Sequence, residues 1–206
     1  MGLEAMLLGA HAEGVRNVLA VTGDPPDVGD YPGSSGVYEV DAIGLCELVS
    51  RLNEGENYNG KAIDAPTSFH LGVAVNPSAD DLEHEHERFQ RKLEAGARFA
   101  MTQILFDLDY LHRFLERLGG SSPIPLLVGI WPLSSLQLAQ RLHNEAPGIV
   151  VPEPVQERLR AAGADAARAG LELARELLAE TRHLAAGAYV VAPFRQPLGI
   201  LDLLTE

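Results

Sequence analysis

The stretch FHLGVAVNPSADDLEHEHERFQRKLEAGARFAMTQIL, residues 69–105, decides the fold class of this chain. It opens with an apolar run of strand length, Phe69 to Val75, and closes with a second one, Phe99 to Leu105. Between the two runs, residues 80–96 place apolar side chains at helical spacing. This pattern predicts a βαβ unit, whose two strands are parallel because a crossover helix joins them.

The same alternation continues on both sides of this unit. Further strands are predicted at residues 15–22, 125–130, 148–151 and 188–191, which gives six in all. Helices are predicted at residues 3–14, 41–53, 108–118, 134–144 and 155–183, the last broken near Gly163. Six strands are too few for a complete eight-stranded barrel of typically ~250 residues, so the pattern leaves either an open sheet or an incomplete barrel.

Composition and charge exclude several classes of partner. With 206 residues, 46% of them hydrophobic, the chain has the size of one globular domain with its own core. The balance of 29 acidic and 16 basic residues, net charge −13, argues against nucleic acid and anionic membrane surfaces. Without a long apolar run or a basic leader, a cytoplasmic protein is expected. The single cysteine, Cys46, lies in an apolar helical stretch and is predicted to be a buried structural thiol.

Polar side chains follow nearly every predicted strand. Functional groups of parallel α/β folds gather where strands end, and the groups here are Thr22-Gly23-Asp24, Asn76-Pro77, Thr102-Gln103, Pro132-Leu133-Ser134 and Phe194-Arg195. Amides, a carboxylate and a guanidinium at such positions can bind the edge of a heterocycle. The alternative is that the Asp and Asn side chains only stabilise turns.

One predicted helix carries a charged stripe. Glu85, Arg88 and Lys92 are spaced i, i+3 and i+7, which places them on one side of the helix. They could hold the hydroxyls and phosphates of a cofactor, or they could form a solvated, salt-bridged face. His84 and His86 are two residues apart and point to different faces, so no metal site is predicted.

At these strand ends the sequence resembles the methylenetetrahydrofolate reductase family. The matching stretches are residues 17–26, 72–77, 92–103 with Phe106-Asp107, 129–133 and 189–194. The Thr22-Gly-Asp24 form, Asn76-Pro77 and the stretch from Gly36 to Asp41 are most similar to bacterial proteins that join a homocysteine S-methyltransferase to this reductase.

The resemblance implies a (β/α)8 TIM-barrel fold. Residues 1–206 would be a single partial barrel domain, truncated at the N-terminus, with about strands 4–8 and their helices. It also implies FAD as the cofactor and NAD(P)H as its reductant. The implied reaction reduces the folate substrate 5,10-methylenetetrahydrofolate to 5-methyltetrahydrofolate, in one-carbon metabolism and methionine biosynthesis.

Carried over residue by residue, the resemblance assigns roles to the strand-end groups. Asp24 is implied to lie beside flavin and folate and to take part in catalysis, while Gln103 and Arg195 are implied to bind the folate. The residues implied to line FAD are Thr22, Gly23, Asp24, Asn76, Glu85, Arg88 and Lys92. Thr22 departs from the family pattern, which usually has arginine there.

The family's catalytic glutamate and a flavin-binding threonine belong to strands that precede the first one here. The resemblance therefore predicts a chain that is inactive alone and is completed by an N-terminal part or a homocysteine S-methyltransferase domain. Exposed strand edges predict a homo-oligomer. The competing interpretation is a non-catalytic barrel fragment that serves as a structural or interaction module; neither interpretation involves nucleic acid, membrane or metal.

Overall fold

A computed structural model describes residues 2–26, 29–31, 33–192 and 197–204. The strands are β1 (Asn17–Ala20), β2 (His70–Val75), β3 (Phe99–Ile104), β4 (Leu126–Ile130) and β5 (Gly187–Val190). The helices are α1 (Gly2–Ala12), α2 (Ala42–Glu54), α3 (Leu82–Glu94), α4 (Asp109–Arg117), α5 (Leu136–Glu145), α6 (Glu153–Ala162), α7 (Ala166–Leu184) and α8 (Leu201–Leu204). Short 3-10 turns lie at Gly163–Asp165 and Pro197–Ile200.

The described strands form a parallel sheet in the order of the chain. β1 pairs with β2 from Asn17↔His70 to Ala20↔Val73, and β4 pairs with β5 from Leu127↔Gly187 to Ile130↔Val190, both in parallel. At least one helix separates each strand from the next along the chain. The predicted α/β class with parallel strands is confirmed; closure into an eight-stranded barrel stays a prediction.

One compact part comprises Met1–Ala74 and Glu87–Phe99. Its helix α2 begins at Asp41, whose carboxylate accepts a hydrogen bond from Gly44 N, and ends at Gly55 in the left-handed conformation. The buried side chains of α2 form one apolar stripe along the helix, with Ala42, Ile43, Cys46, Leu48, Val49 and Leu52 as members. Cys46 is fully buried, as the sequence predicted.

The second compact part comprises Val75–His86 and Ala100–Glu206. Its core combines the end of β3, the loop after β4 and the apolar faces of the helices that follow, with Ile104, Phe106, Leu133, Ala139, Val151, Val155 and Leu159 as buried members. The break predicted near Gly163 is confirmed, because α6 ends at Ala162 and α7 begins at Ala166.

The strand predicted at residues 148–151 is wrong, and five strands are described instead of six. Gly148 has a φ of +73°, outside the range of strand backbone. The backbone of this segment bonds to side chains instead of to a neighbouring strand: the carbonyl of Gly148 accepts from Asn76, and the amide of Val151 donates to His143. The segment is a loop between α5 and α6, which the Pro147-Gly148 pair could have indicated as a turn signal.

Candidate functional site

The turn after β1 is open to solvent. Thr22 Oγ1 accepts a hydrogen bond from Ala42 N at 3.1 Å, which ties the turn to the start of α2. Gly23 has a φ of +82°, and no described heavy atom lies within 4 Å of the place where a Cβ would stand. Asp24 is exposed beside it. A flat ring could therefore approach the bare backbone of Gly23 with a carboxylate at its edge.

Lys92 on α3 is a buried cation. Its side chain is 5% exposed, and Nζ donates a hydrogen bond to Ala74 O at 2.6 Å, near the end of β2. Arg91, the preceding residue, is exposed, and Arg88 is half-buried. The alternative of a solvated, salt-bridged face is therefore wrong for Lys92, because solvent does not reach it.

Glu85, near the start of α3, holds the backbone just after β2. Its Oε1 accepts a hydrogen bond from Asn76 N at 2.8 Å, and its side chain is half-buried. Carboxylates that accept a backbone N–H make charge-assisted bonds, which are stronger than neutral ones. Glu85 thus fixes the backbone of Asn76, and with it the origin of the Asn76 side chain.

The carboxamides of Asn76 and Gln103 meet at one loop. Asn76 Nδ2 donates to Gly148 O at 3.2 Å, and Gln103 Nε2 donates to Pro147 O at 3.4 Å. Ser78, which is buried, donates its hydroxyl to Asn76 Oδ1 at 2.8 Å. The structure therefore brings together two of the side chains predicted for FAD and folate.

An irregularity in β3 positions Gln103. The pairing of β3 with β4 shifts between Met101 and Ile104, so the ladder is interrupted there. In its place, Gly129 N donates to the side-chain oxygen of Thr102 at 3.0 Å, and Tyr189 donates its hydroxyl to Thr102 O at 2.6 Å. Bulges of this kind re-aim side chains and are frequent beside functional sites.

Burial raises the pKa of two side chains, Cys46 and Tyr189. Burial raises the pKa of the Cys46 thiol to about 11, against a smaller lowering influence of Lys92. It also raises the pKa of Tyr189, so its hydroxyl stays a neutral donor to Thr102.

In the part of the chain that the structure describes, there is no group of three His, Cys, Asp or Glu side chains suited to a metal ion. His86 is half-buried, and its Nδ1 lacks a hydrogen-bond partner among the described residues.

A separate groove of about 760 Å³ lies in the second part. Arg113 stacks on Tyr110 with its guanidinium carbon 4.8 Å from the ring centre, and Arg117 pairs with Glu83. The residues lining the groove include Pro77, Ser78, Asp80, Tyr110, Arg113 and Arg117. Pro77, one of the strand-end residues singled out in the sequence, lines this groove, whereas none of the residues predicted to bind FAD or folate is among its described lining residues.

Sequence reasoning missed Ser78, Pro147 and Gly148, which bond directly to the two carboxamides. Arg195, predicted to bind folate, lies outside the described residues. No helix in the described ranges has the length and apolar composition needed to cross a bilayer.

Comparison with known proteins gives a family match that covers most of these strand ends. A family model described as "Methylenetetrahydrofolate reductase" matches residues 1–187. The chain belongs to the methylenetetrahydrofolate reductase family. The match includes every predicted site residue except Arg195, which lies beyond its end.

Individual reductases of this family are similar over shorter lengths. Methylenetetrahydrofolate reductase 1 of Schizosaccharomyces pombe (strain 972) is 27% identical over 164 residues, which are 76% of this chain and 24% of the relative. The 5,10-methylenetetrahydrofolate reductase of Escherichia coli (strain K12) is 30% identical over 132 residues, 64% of this chain and 39% of the relative. The aligned chain thus spans only 24% to 39% of the length of these relatives.

Among solved structures, one is titled an uncharacterized protein from Clostridium thermocellum that binds two copies of 5-methyl-5,6,7,8-tetrahydrofolic acid. It is 15% identical, with a TM-score of 0.46, over 66% of this chain and 52% of the other. A TM-score at this level does not establish a shared fold.

Proposed function

We propose that this chain supplies the flavin-binding and folate-binding region of a methylenetetrahydrofolate reductase with a (β/α)8 barrel. The proposed reaction reduces 5,10-methylenetetrahydrofolate to 5-methyltetrahydrofolate with FAD, which NAD(P)H reduces. The observation that carries this proposal is the convergence of Asn76 and Gln103 at one loop, in a chain whose family match covers both. Two carboxamides side by side suit a planar ligand with alternating donors and acceptors.

The residues of the first part fit a flavin. The backbone at Gly23 is open, and Asp24 stands exposed next to it, so a ring system can lie against the turn. The Asp24 carboxylate would disfavour additional negative charge on such a ring and would hold the edge of a pterin. Thr22 would contact the ring from the same turn, and the half-buried Arg88 on α3 would pair with the phosphates. The buried Lys92, whose Nζ is bonded to Ala74 O, would favour the phosphates only through its positive charge. A bound flavin supplies the hydride-transfer chemistry.

In the second part, Gln103 would hold the pterin and Asn76 would contact the flavin. Glu85 supports this arrangement because it fixes the backbone of Asn76 through a 2.8 Å hydrogen bond. Arg195, the third residue proposed for folate, follows β5 in the sequence. The general acid that protonates the folate would come from a segment outside these residues, such as an N-terminal part joined to a homocysteine S-methyltransferase domain.

A second candidate function is an interaction module without catalysis. β1 exposes large apolar side chains that a binding partner could cover: Leu19 is 41% exposed, and Val21 just after it is 49% exposed. A second copy of the chain or an N-terminal barrel segment would fit the unpaired edge of such a strand. This candidate predicts self-association or complex formation without binding of flavin or folate.

The deciding experiment titrates the purified chain with FAD and then with 5-methyltetrahydrofolate, following flavin absorbance and fluorescence. Saturable FAD binding, weakened roughly tenfold by Asp24→Ala and unchanged by Asp30→Ala, supports the reductase region, since a tenfold change is about 1.4 kcal/mol of lost contact. Asp30 is the matched control because it is an exposed carboxylate of the same loop. A folded chain that binds neither ligand would reject the proposal and favour the interaction module.

Catalysis is tested separately from binding. The FAD-loaded chain is assayed for NAD(P)H oxidation coupled to 5,10-methylenetetrahydrofolate, alone and after addition of the N-terminal part of a related reductase. We expect turnover only in the mixture, because the general acid would come from the added segment. Light scattering of the chain alone measures the proposed homo-oligomer.

A further inference from the structure

The loop between α5 and α6 accepts hydrogen bonds from the amino groups of both carboxamides. Two consecutive carbonyls, those of Pro147 and Gly148, accept from Gln103 Nε2 at 3.4 Å and from Asn76 Nδ2 at 3.2 Å. The bonded residues are 44 and 72 positions apart in the chain. The contact is therefore a tertiary feature of the second part and not a local turn.

The oxygen atom of each carboxamide is also held. Asn76 Oδ1 accepts from Ser78 N at 3.1 Å and from Ser78 Oγ at 2.8 Å, and Gln103 Oε1 accepts from Ile104 N at 2.9 Å. A carboxamide offers two N–H donors and two lone pairs. Counted over the described residues, Asn76 keeps one N–H for a ligand, and Gln103 keeps one N–H and one lone pair.

A flipped carboxamide would fit neither side. For Asn76, a flip would turn the amino group toward the N–H and hydroxyl of Ser78 and the oxygen toward the carbonyl of Gly148. The Ser78 hydroxyl could turn to accept, but the Ser78 N–H would face a donor and the Gly148 carbonyl would face an acceptor, which loses hydrogen bonds in a half-buried place. The loop and Ser78 therefore select one orientation.

Gly148 is suited to this contact for two reasons. Its φ of +73° is in the left-handed region that favours glycine, and an added Cβ would stand 2.9 Å from Asn76 Nδ2 and 3.6 Å from Gln103 Nε2. Any larger residue would strain the loop and push the Asn76 amino group away. At the other end of the loop, Val151 N donates to His143 Nδ1 at 3.3 Å and anchors the segment to α5.

We infer that Pro147 and Gly148 are positioning residues that fix the orientation of the Asn76 and Gln103 carboxamides and thereby decide which ligand edge the site accepts. Gln103 then presents a donor beside an acceptor, which matches the 2-amino-4-oxopyrimidine edge of a reduced pterin. Asn76 presents a donor only, which suits a ring nitrogen or carbonyl oxygen. This inference rests on the proposed folate site and adds the element that gives the site its selectivity.

The test compares two probes, folic acid and its 4-amino analogue aminopterin, in which an acceptor oxygen is replaced by a donor. The wild-type chain, loaded with FAD, is expected to bind folic acid roughly tenfold more tightly, since a lost or mismatched hydrogen bond to a site built for it changes affinity by that order or more. Gly148→Ala is expected to reduce the ratio of the two dissociation constants below about threefold. A purely structural role would weaken both probes alike and leave the ratio unchanged.

Gly119→Ala is the matched control. Gly119 has a φ of +85° in the same part of the molecule, and no described atom lies within 4 Å of its added Cβ, so it shares the backbone strain without the contact. We expect its ratio to equal that of the wild type. If Gly148→Ala does not fold, Pro147→Gly loosens the same loop at an exposed residue and is expected to lower the ratio by a smaller amount.

The outcomes separate the inference from the proposed function. If the wild-type chain binds neither probe, the folate site itself is rejected, and the positioning role falls with it. If the wild-type chain discriminates between the probes and both loop variants discriminate equally well, the positioning role alone is overturned. Loss of discrimination in the loop variants, with Gly119→Ala unchanged, supports it.

Discussion

Gly23 in the first part and Gly148 in the second share a left-handed backbone and differ in their surroundings. A Cβ at Gly23 would meet no described atom within 4 Å, whereas one at Gly148 would press on Asn76 at 2.9 Å. The turn at Gly23 is open, and the loop at Gly148 is already bonded to the Asn76 and Gln103 carboxamides, which we propose to bind ligands. Glycines that share a positive φ thus have different surroundings, open at Gly23 and closely packed at Gly148.

The largest expected effect on stability comes from comparing a closely packed glycine with an open one, both within helices. A Cβ at Gly170 in α7 would stand 1.8 Å from Leu133 O, while one at Gly9 in α1 would meet no described atom. Gly170→Ala should destabilise the fold by about 3 kcal/mol or more, because the backbone of the β4–α5 loop must move. Gly9→Ala should be neutral or stabilise by up to about 1 kcal/mol. Urea unfolding measures both, and equal midpoints would contradict the close packing of α7.

The next effect concerns the buried thiol of Cys46. Burial raises its pKa from 9.0 to about 11, so the folded state favours the neutral thiol. The stabilisation is fully present below pH 9 and is lost as the pH rises through 11, by roughly 3 kcal/mol in total. The measurement is the free energy of unfolding across this range. Cys46→Ala should show a smaller decline, and a parallel decline in both proteins would exclude the thiol as the cause.

Lys92 and Arg91 allow a buried and an exposed basic side chain to be compared on the same helix, α3. Lys92→Met keeps the aliphatic stem but removes the donor to Ala74 O, and the loss of this buried hydrogen bond should cost about 2 kcal/mol. Arg91→Met should change stability by less than about 0.5 kcal/mol because Arg91 is exposed. Thermal unfolding distinguishes them; an equally small effect of both variants would show that the Lys92 bond contributes little.

The smallest effect is expected where both partners are exposed. Arg158 donates two hydrogen bonds to Glu176, at 2.6 and 2.7 Å, and lowers the pKa of that carboxyl. Glu176→Gln should cost at most about 1 kcal/mol near neutral pH. Because the folded pKa is lowered, the pair stabilises above the ordinary carboxyl pKa and loses its effect as the pH falls below it. Unfolding in added salt should shrink the difference, and a difference that persists in high salt would indicate more than an ion pair.

The fold was largely predictable, and the site was predictable only in part. Apolar periodicity located five strands within a few residues, and Asp41 and the break near Gly163 correctly indicated helix ends. The same reasoning mistook residues 148–151 for a strand, because a β-branched run satisfies the pattern without a partner strand. It also left open whether Lys92 belonged to a solvated face, since helical spacing gives the direction of a side chain and not the neighbour it meets.

The sequence by itself determined the α/β alternation, the polar groups at the strand ends and the family to which the chain belongs. These features are encoded in short windows or in the order of motifs along the chain. Only the tertiary structure decided that Asn76 and Gln103 share one loop, that Thr102 interrupts the ladder of β3 and that Lys92 is buried. The partners in the shared loop lie 44 and 72 residues away, so packing, and not local preference, selects these bonds.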